Sequence, residues 1–448
     1  MSEARPTLKI DNIEFAITVD QGRRVVRDAA IVIDGQRIMR IDKADALRTI
    51  AAERTIDASG CVVTPAFVNG HMHISYAHAV RGNFPDDFVG VARLREVFRL
   101  QSAMTEQEEY DTTLLALIEL LKTGTGCFVD PGSTRFLDAC LQAYEDAGCR
   151  IITGTCLIDQ PSDLALPRLP TDQALDRTRT FIQTYDHRLN DRVRAWAMPF
   201  SPDTCSLELL AGSRRIAEEL GTGLTIHHRG GATRQLAEAG ALGSNVCLAH
   251  AMGIDDQEVE IIADNGSSVV VCPSTTVKEG AGLGDRKLPE LLARGVNVGL
   301  GSDSANSSNY LDPVRMLHAA AVGFKEGRRD PHLVPAEQAV EMGTLFGARA
   351  VGLGDDIGSI EPGKKADLVV FDTRRAEWRA LLDPVNNLVY AADGHSARTV
   401  VIDGRVVVDD GQVAFADESA VTQRVQAHAE ALLARTGARV NRGRWPII

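Results

Sequence analysis

From residue 65 to about residue 365 the chain repeats one unit, a short apolar run that ends in small or polar residues and is followed by an amphipathic stretch. The runs are GCFVDPG, RIITGTCL, VRAWAMPF, GLTIHH, NVCLAHA, SSVVVCPS and VNVGLGSD, and between them lie segments such as TEQEEYDTTLLALIELLKTG and DQEVEIIADNG with helical spacing. Short strands alternating with helices are laid parallel, because the crossover helix returns the chain to the same end of the sheet. About eight such units predict a closed TIM-type (β/α)8 barrel, an α/β fold. An open doubly wound sheet is the alternative. Against it, no G-x-G-x-x-G follows the first strand, and residues fit for chemistry end many different strands.

The two ends of the chain have another texture. LKIDNIEFAITV, RDAAIVIDGQRIMRID and RTIDASGCVVTPA near the start, and KKADLVVFD and ARTVVIDGRVVVDDGQVAF near the finish, are rich in β-branched residues. IVIDGQRI and VVIDGRVVV share the Asp-Gly hairpin signal. One small β-sandwich built from both termini is expected, with residues 1–64 and 366–448 flanking a barrel at 65–365. The last segment, ESAVTQRVQAHAEALLAR, reads as a terminal surface helix.

A net charge of −13 and an isoelectric point near 5.4 argue against nucleic acid or an anionic membrane as partner. No stretch of ~20 apolar residues occurs, and MSEARPTLKID lacks an apolar leader, so a cytoplasmic location is expected. The cysteines at 61, 127, 140, 149, 156, 205, 247 and 272 form no C-x-x-C pair and read as buried, reduced thiols. A small-molecule substrate and a homo-oligomer are the partners expected.

The chemistry begins at His71-Met72-His73, after VVTPAFVNG. Residues i and i+2 of an extended chain face one side, so both imidazoles can share a metal. In LTIHHRGG, alternation puts Leu224 and Ile226 outward and Thr225 and His227 inward, which favours His227 over His228 as ligand; a bulge would reverse this. His250 closes NVCLAHA and Asp303 closes VNVGLGSD. Each has a plainer explanation, a core histidine or a helix-capping aspartate. Together, at the strand ends where barrel enzymes keep their sites, they predict a catalytic metal. Four histidines and one aspartate suit Zn²⁺, and also Co²⁺, Fe²⁺ or Mn²⁺, and do not suit a Mg²⁺ or Ca²⁺ oxygen cage.

The stretches VVTPAFVNGHMH, Arg81-Gly82, LAEAGALGSNVCLAHAMG, VVVCPSTT, ARGVNVGLGSDSANSSN and GSIEPGKKADLVVFD together resemble the amidohydrolase superfamily, in its cytosine deaminase and triazine hydrolase branch. The resemblance spans nearly the whole chain. It implies His71, His73, His227, His250 and Asp303 as metal ligands. Binuclear members carry a bridging lysine on the fourth strand; VRAWAMPFSPD has none, so one divalent ion is implied.

One departure matters for the reaction. Mononuclear deaminases of this branch carry H-x-x-E, whereas counting from His227 or His228 reaches Gly230 or Gly231. Without that carboxylate, cleavage of an amide, urea or carbamate C–N bond is the leading expectation, with Asp303 moving the proton and His250 beside the oxyanion. GHMHISYAHAVRGNFPDD is similar to herbicide-degrading phenylurea and molinate hydrolases, a weaker likeness. The alternative is a deaminase or dechlorinase of an aminopyrimidine or triazine ring, with His78 or Arg229 replacing the glutamate. A second alternative is an inactive binding barrel. His78, Tyr76, Phe84, His228, Arg229, Asn306 and Asn309 are the candidate substrate contacts.

Overall fold

The structure is a computed structural model that describes residues 5–438 and 445. Its central strands pair in parallel throughout. Phe67–Asn69 pairs with Thr125–Val129, which pairs with Arg150–Thr153, which pairs with Val193–Ala195; Cys156–Leu157 then pairs with Met198–Pro199. A second set runs Leu224–Arg229, Val246–Met252, Ser268–Val271 and Val298–Leu300. Backbone bonds link the two sets on both flanks. Ala197 N donates to Gly223 O at 3.0 Å and Thr225 N to Ala197 O at 3.1 Å, while Gly70 N donates to Leu300 O at 2.8 Å.

Strand periodicity sorts the side chains into two layers. Val68, Cys127, Val129, Ile152, Cys247 and Val270 share one apolar cluster with Trp196 and Met198. Their chain neighbours Phe67, Phe128, Ile151, Leu248, Val269 and Val271 belong to the larger cluster formed with the helices. Leu224 and Ile226 lie in that helix-side cluster, as alternation predicts. The connecting helices start where local chemistry starts them. Thr105 and Glu108 form a reciprocal capping box on Glu106–Lys122, and Asp255 and Glu258 do the same on Asp256–Asp264.

Strands from both ends of the chain join one continuous nine-stranded sheet. Cys61–Pro65 sits at the seam, antiparallel to Leu368–Asp372 on one side and parallel to Leu8–Ile17 on the other. Ile10, Ile13, Ile31, Ile33, Val63, Leu368, Val370 and Val401 fill its core. The terminal helix Glu418–Thr436 lies against Glu106–Lys122 and is tied to it by Arg424 and His428 on the buried carboxylate of Asp111. All eight cysteines are free and buried. Among the described residues no helix is long and apolar enough to cross a membrane.

A buried ion cluster fastens the sheet to the parallel strands. Arg150 Nε reaches Asp367 Oδ2 at 2.6 Å and its Nη2 reaches Asp403 Oδ1 at 2.6 Å, with all three side chains no more than 5% exposed. Replacing the cation strands Asp367 in a low-dielectric interior and leaves Asp403 with Lys365 alone, 3.1 Å away, at a cost of about 3–5 kcal/mol. Arg150→Met is expected to lower the thermal unfolding temperature clearly; an unchanged melting curve would show that the cluster does not join the two parts.

Candidate metal centre and its cavity

Phe67–Asn69 ends one residue before Gly70, and the chain carries His71 and His73 just beyond it, over the mouth of the parallel strands. Two contacts hold that segment against the one that bears Asp303. Asp303 N donates to His71 O at 3.0 Å, and the Asn69 amide bonds Ser302 twice, Nδ2 to Oγ at 2.8 Å and Oδ1 from the backbone N at 3.0 Å. The approach requires glycine at 301, since a Cβ there would stand 2.8 Å from the His71 carbonyl oxygen.

The five predicted ligands converge. Ligand atoms of His71, His227 and His250 lie within 4.8 Å of one another, as do those of His71, His73 and Asp303. His227 Nε2 is 3.5 Å from His73 Nε2, and His73 Nε2 is 3.8 Å from Asp303 Oδ1. Two atoms bound to one tetrahedral zinc lie roughly 3.3–3.6 Å apart, so the spacing fits a shared ion. Both ring nitrogens of His71 are buried and have no hydrogen-bond partner. Such orphaned atoms cost roughly 1–3 kcal/mol each, and a metal ion relieves that cost at the ligating nitrogen. The donor set fits a divalent metal.

The ring orientations are set from behind. His227 Nδ1 donates to Phe200 O at 3.1 Å, which leaves Nε2 as the free lone pair. His73 Nδ1 meets Ser133 Oγ at 3.1 Å, and Ser133 in turn donates to the buried Asp130. Burial drives the pKa of all four imidazoles down, that of His73 to about 3, so the rings are neutral, which is the ligating form. Two of the predicted ligands sit on left-handed backbone, His250 at φ 71° and Asp303 at φ 58°. Non-glycine residues there cost about 1–3 kcal/mol each and cluster at functional sites.

A cavity of about 280 Å3 opens over this centre. His73, His227, His250 and Asp303 form its base, Tyr76, Leu94, Val97, Phe98 and Phe200 its apolar wall, and Arg93, Glu279, Arg286 and the Asp203–Arg229 pair its charged groups. Phe98 and Phe200 meet edge to face at 5.8 Å, and Phe200 lies 4.5 Å from the His227 ring. A larger hollow of about 1020 Å3 lies behind Ser133 and Cys156, away from the ligand atoms.

Residues 62–407 match the amidohydrolase family. The chain belongs to that family. Among its relatives are a 5-methylthioadenosine/S-adenosylhomocysteine deaminase of Syntrophobacter fumaroxidans, 32% identical over 95% of this chain and 98% of the relative, and a 5'-deoxyadenosine deaminase of Methanothermobacter thermautotrophicus, 31% identical over 94% and 100%. A zinc-bound adenosine deaminase of Xanthomonas campestris is similar in structure, with TM-score 0.87 and 24% identity over 96% of this chain and 99% of that one. The protein is a metal-dependent hydrolase that acts on C–N bonds. These relatives are named as nucleoside deaminases, and they lend no support to the phenylurea and herbicide-degradation likeness.

Around the amidohydrolase centre, the predicted contacts separate. Tyr76, His228, Arg229 and Asn306 line the cavity. His228 is buried with Nε2 on Thr233 Oγ1 at 3.1 Å, its pKa pushed down by burial to about 4. Arg229 is exposed and held by Asp203, Nε to Oδ2 at 2.7 Å, because the strand slips register between His227 and Arg229. Three contacts are corrected. The ring of His78 is turned to Glu119, 2.9 Å away, beside Arg81; Phe84 packs with Val97, Leu100 and Leu432; Asn309 accepts from Lys278 Nζ at 3.2 Å. None of the three lines the cavity. Arg93, Phe98, Glu279 and Arg286 do, and the sequence reading did not include them. Arg93 and Phe98 lie on the helix Gly90–Ser102, where apolar spacing gives no sign of a site.

The position of the H-x-x-E glutamate is closed sterically. A Cβ on Gly230 would overlap the Gly253 carbonyl. His227→Ala is expected to reduce bound metal from about one ion per chain to near zero by elemental analysis, while His228→Ala retains it. The reverse pattern would exchange the roles of the two strand histidines. Gly230→Glu is expected to lower the unfolding temperature rather than raise turnover, since overpacking costs about 1–3 kcal/mol or more.

Proposed function

We propose that the protein is a mononuclear, zinc-dependent deaminase of an amino-substituted, nucleoside-like heteroaromatic ring. The observation that carries the reading is the cavity itself, a slot with an aromatic wall that ends directly on the His–Asp centre, in a chain whose full-length relatives are named as 5'-deoxyadenosine and methylthioadenosine deaminases. This replaces cleavage of an acyclic amide, urea or carbamate as the leading expectation. The parallel strands are read as a (β/α)8 barrel, with residues 1–64 and 366–448 as the second unit and 65–365 as the barrel.

In the reaction, water replaces the ring amino group and ammonia leaves. His71, His73, His227, His250 and Asp303 would hold the metal, which when bound would supply Lewis-acid activation of water. Phe98 and Phe200 give the ring an apolar face to lie on, and the backbone carbonyl of Phe200 keeps His227 in the ligating tautomer. Asp303 Oδ1 is fixed by the Ser304 amide at 2.7 Å. Its carboxylate takes the proton released by water and passes it to the ring nitrogen, then moves the proton of the added hydroxyl to the departing amine, which leaves as ammonia. His78 and Arg229 do not stand in for the missing glutamate, being bound to Glu119 and Asp203.

The closed position at Gly230 favours a second reading, hydrolysis of an acyclic C–N bond, which needs no ring-nitrogen protonation. One experiment separates the two. The zinc-loaded protein is incubated with adenosine, 5'-deoxyadenosine, methylthioadenosine, aminotriazines, N-aryl ureas and carbamates, and products are read by mass spectrometry. Exchange of a ring amino group for oxygen with ammonia release is expected, falling about 10²–10⁴-fold in Asp303→Asn. Amine release from a urea or carbamate alone overturns the deaminase reading.

A further inference from the structure

The charges that line the cavity are equal in number but not all paired. Its cations are Arg93, Arg229 and Arg286, and its carboxylates are Asp203, Glu279 and Asp303. Arg229 is paired with Asp203, and the buried Arg93 is paired with Glu279. Asp303 stands against His73 in the metal centre. Arg286 is left over.

Arg286 lies just after the short turn Leu283–Asp285 and lines the same cavity as His250 and Cys272. No carboxylate of the described residues lies within ion-pair distance of it, although Asp285 precedes it in the chain and Glu279 shares the cavity. The hydrogen bonding of its side chain among those residues is one weak donation from Nη2 to Ala281 O at 3.4 Å. Burial lowers its proton affinity, and the more distant Asp285 and Glu279 offset this only in part. A guanidinium presents five donors in a planar fork, so most of this one's donors point at nothing in the protein. The single positive charge is close enough to the centre to act on His250. An ordinary surface arginine keeps its charge in water; this one is half-buried between a metal site and an apolar wall.

We propose that Arg286 is a specificity-determining residue which receives a carboxylate carried by the substrate, so that the enzyme prefers an anionic, amino-substituted ring compound to a neutral nucleoside. The proposal rests on the deaminase reading for the ring but not for the anion site. A planar carboxylate matches the guanidinium fork in two parallel hydrogen bonds and supplies the partner that the guanidinium lacks. Such charge-assisted bonds are worth about 10–100-fold in affinity.

The test reads binding without turnover. Benzenesulfonate, a monoanion and a poor metal ligand, and neutral benzyl alcohol are titrated calorimetrically into the zinc-loaded protein, its Arg286→Met variant and its Arg286→Lys variant. The sulfonate is expected to bind the unaltered protein about 10-fold or more tighter than the alcohol. Arg286→Met is expected to abolish that preference and Arg286→Lys to keep part of it, with metal content and alcohol affinity unchanged. Equal affinity for the two probes, or a preference that survives Arg286→Met, overturns the proposal. If the preference behaves as expected while no ring amine is ever released, the anion site stands and the deaminase reading falls. If neutral adenosines are deaminated and the sulfonate shows no preference, the reverse holds.

Discussion

Four imidazoles and a carboxylate are brought together where the His71 ring nitrogens meet no partner, and much of the surrounding structure serves to hold them there. The Asn69–Ser302 clamp and the Asp303 N to His71 O bond tie the segment after the first parallel strand to the segment after the last. The ligands therefore do not depend on loop conformation alone. Ser133 and the Phe200 carbonyl aim two of the rings from behind. Left-handed backbone at His250 and Asp303 is tolerated because the neighbouring strands over-determine it.

Much of this was legible in the sequence, for a physical reason. Strand alternation is a strict period of two, so Leu224 and Ile226 had to face the helices and His227 the opposite side, and ligands spaced on strands keep their relative directions. What was not legible depends on tertiary placement. His78 follows the H-x-H motif closely, yet its ring turns to Glu119, a residue on the helix Glu106–Lys122 that only folding brings near. Arg229 was expected in inward register, and one slipped residue in the pairing sends it to the rim. Arg93, Phe98, Glu279 and Arg286 enter the cavity from helices and turns far along the chain, where no local pattern marks them.

The absent glutamate changes character once the packing is known. In the sequence it is a missing letter. In the structure Gly230 lies against the carbonyl of Gly253, in a turn where Gly230 N also donates to Met252 O at 2.6 Å. The two strand ends close over the place where the carboxylate would stand. On the proposed reading, proton movement then falls to Asp303, and substrate selection to the groups that fill the rest of the cavity.

The sheet assembled from both ends of the chain imposes an order on synthesis. Cys61–Pro65 leads almost directly into the segment that carries His71 and His73, and its antiparallel neighbour is Leu368–Asp372, with Pro65 opposite Leu368. As the chain emerges from a ribosome, that seam must wait for roughly 300 residues, about 15–60 s at ordinary elongation rates. During the wait Leu8–Ile17 and Val25–Asp34 can already form a hairpin, but the open edge at Cys61–Pro65 presents unpaired backbone and buried-type side chains to its surroundings. A nascent chain of this design is most exposed to mispairing just before its final strands arrive. Truncations that remove Leu368–Asp372 would therefore leave Cys61–Pro65, and not only the missing strands, without an antiparallel neighbour.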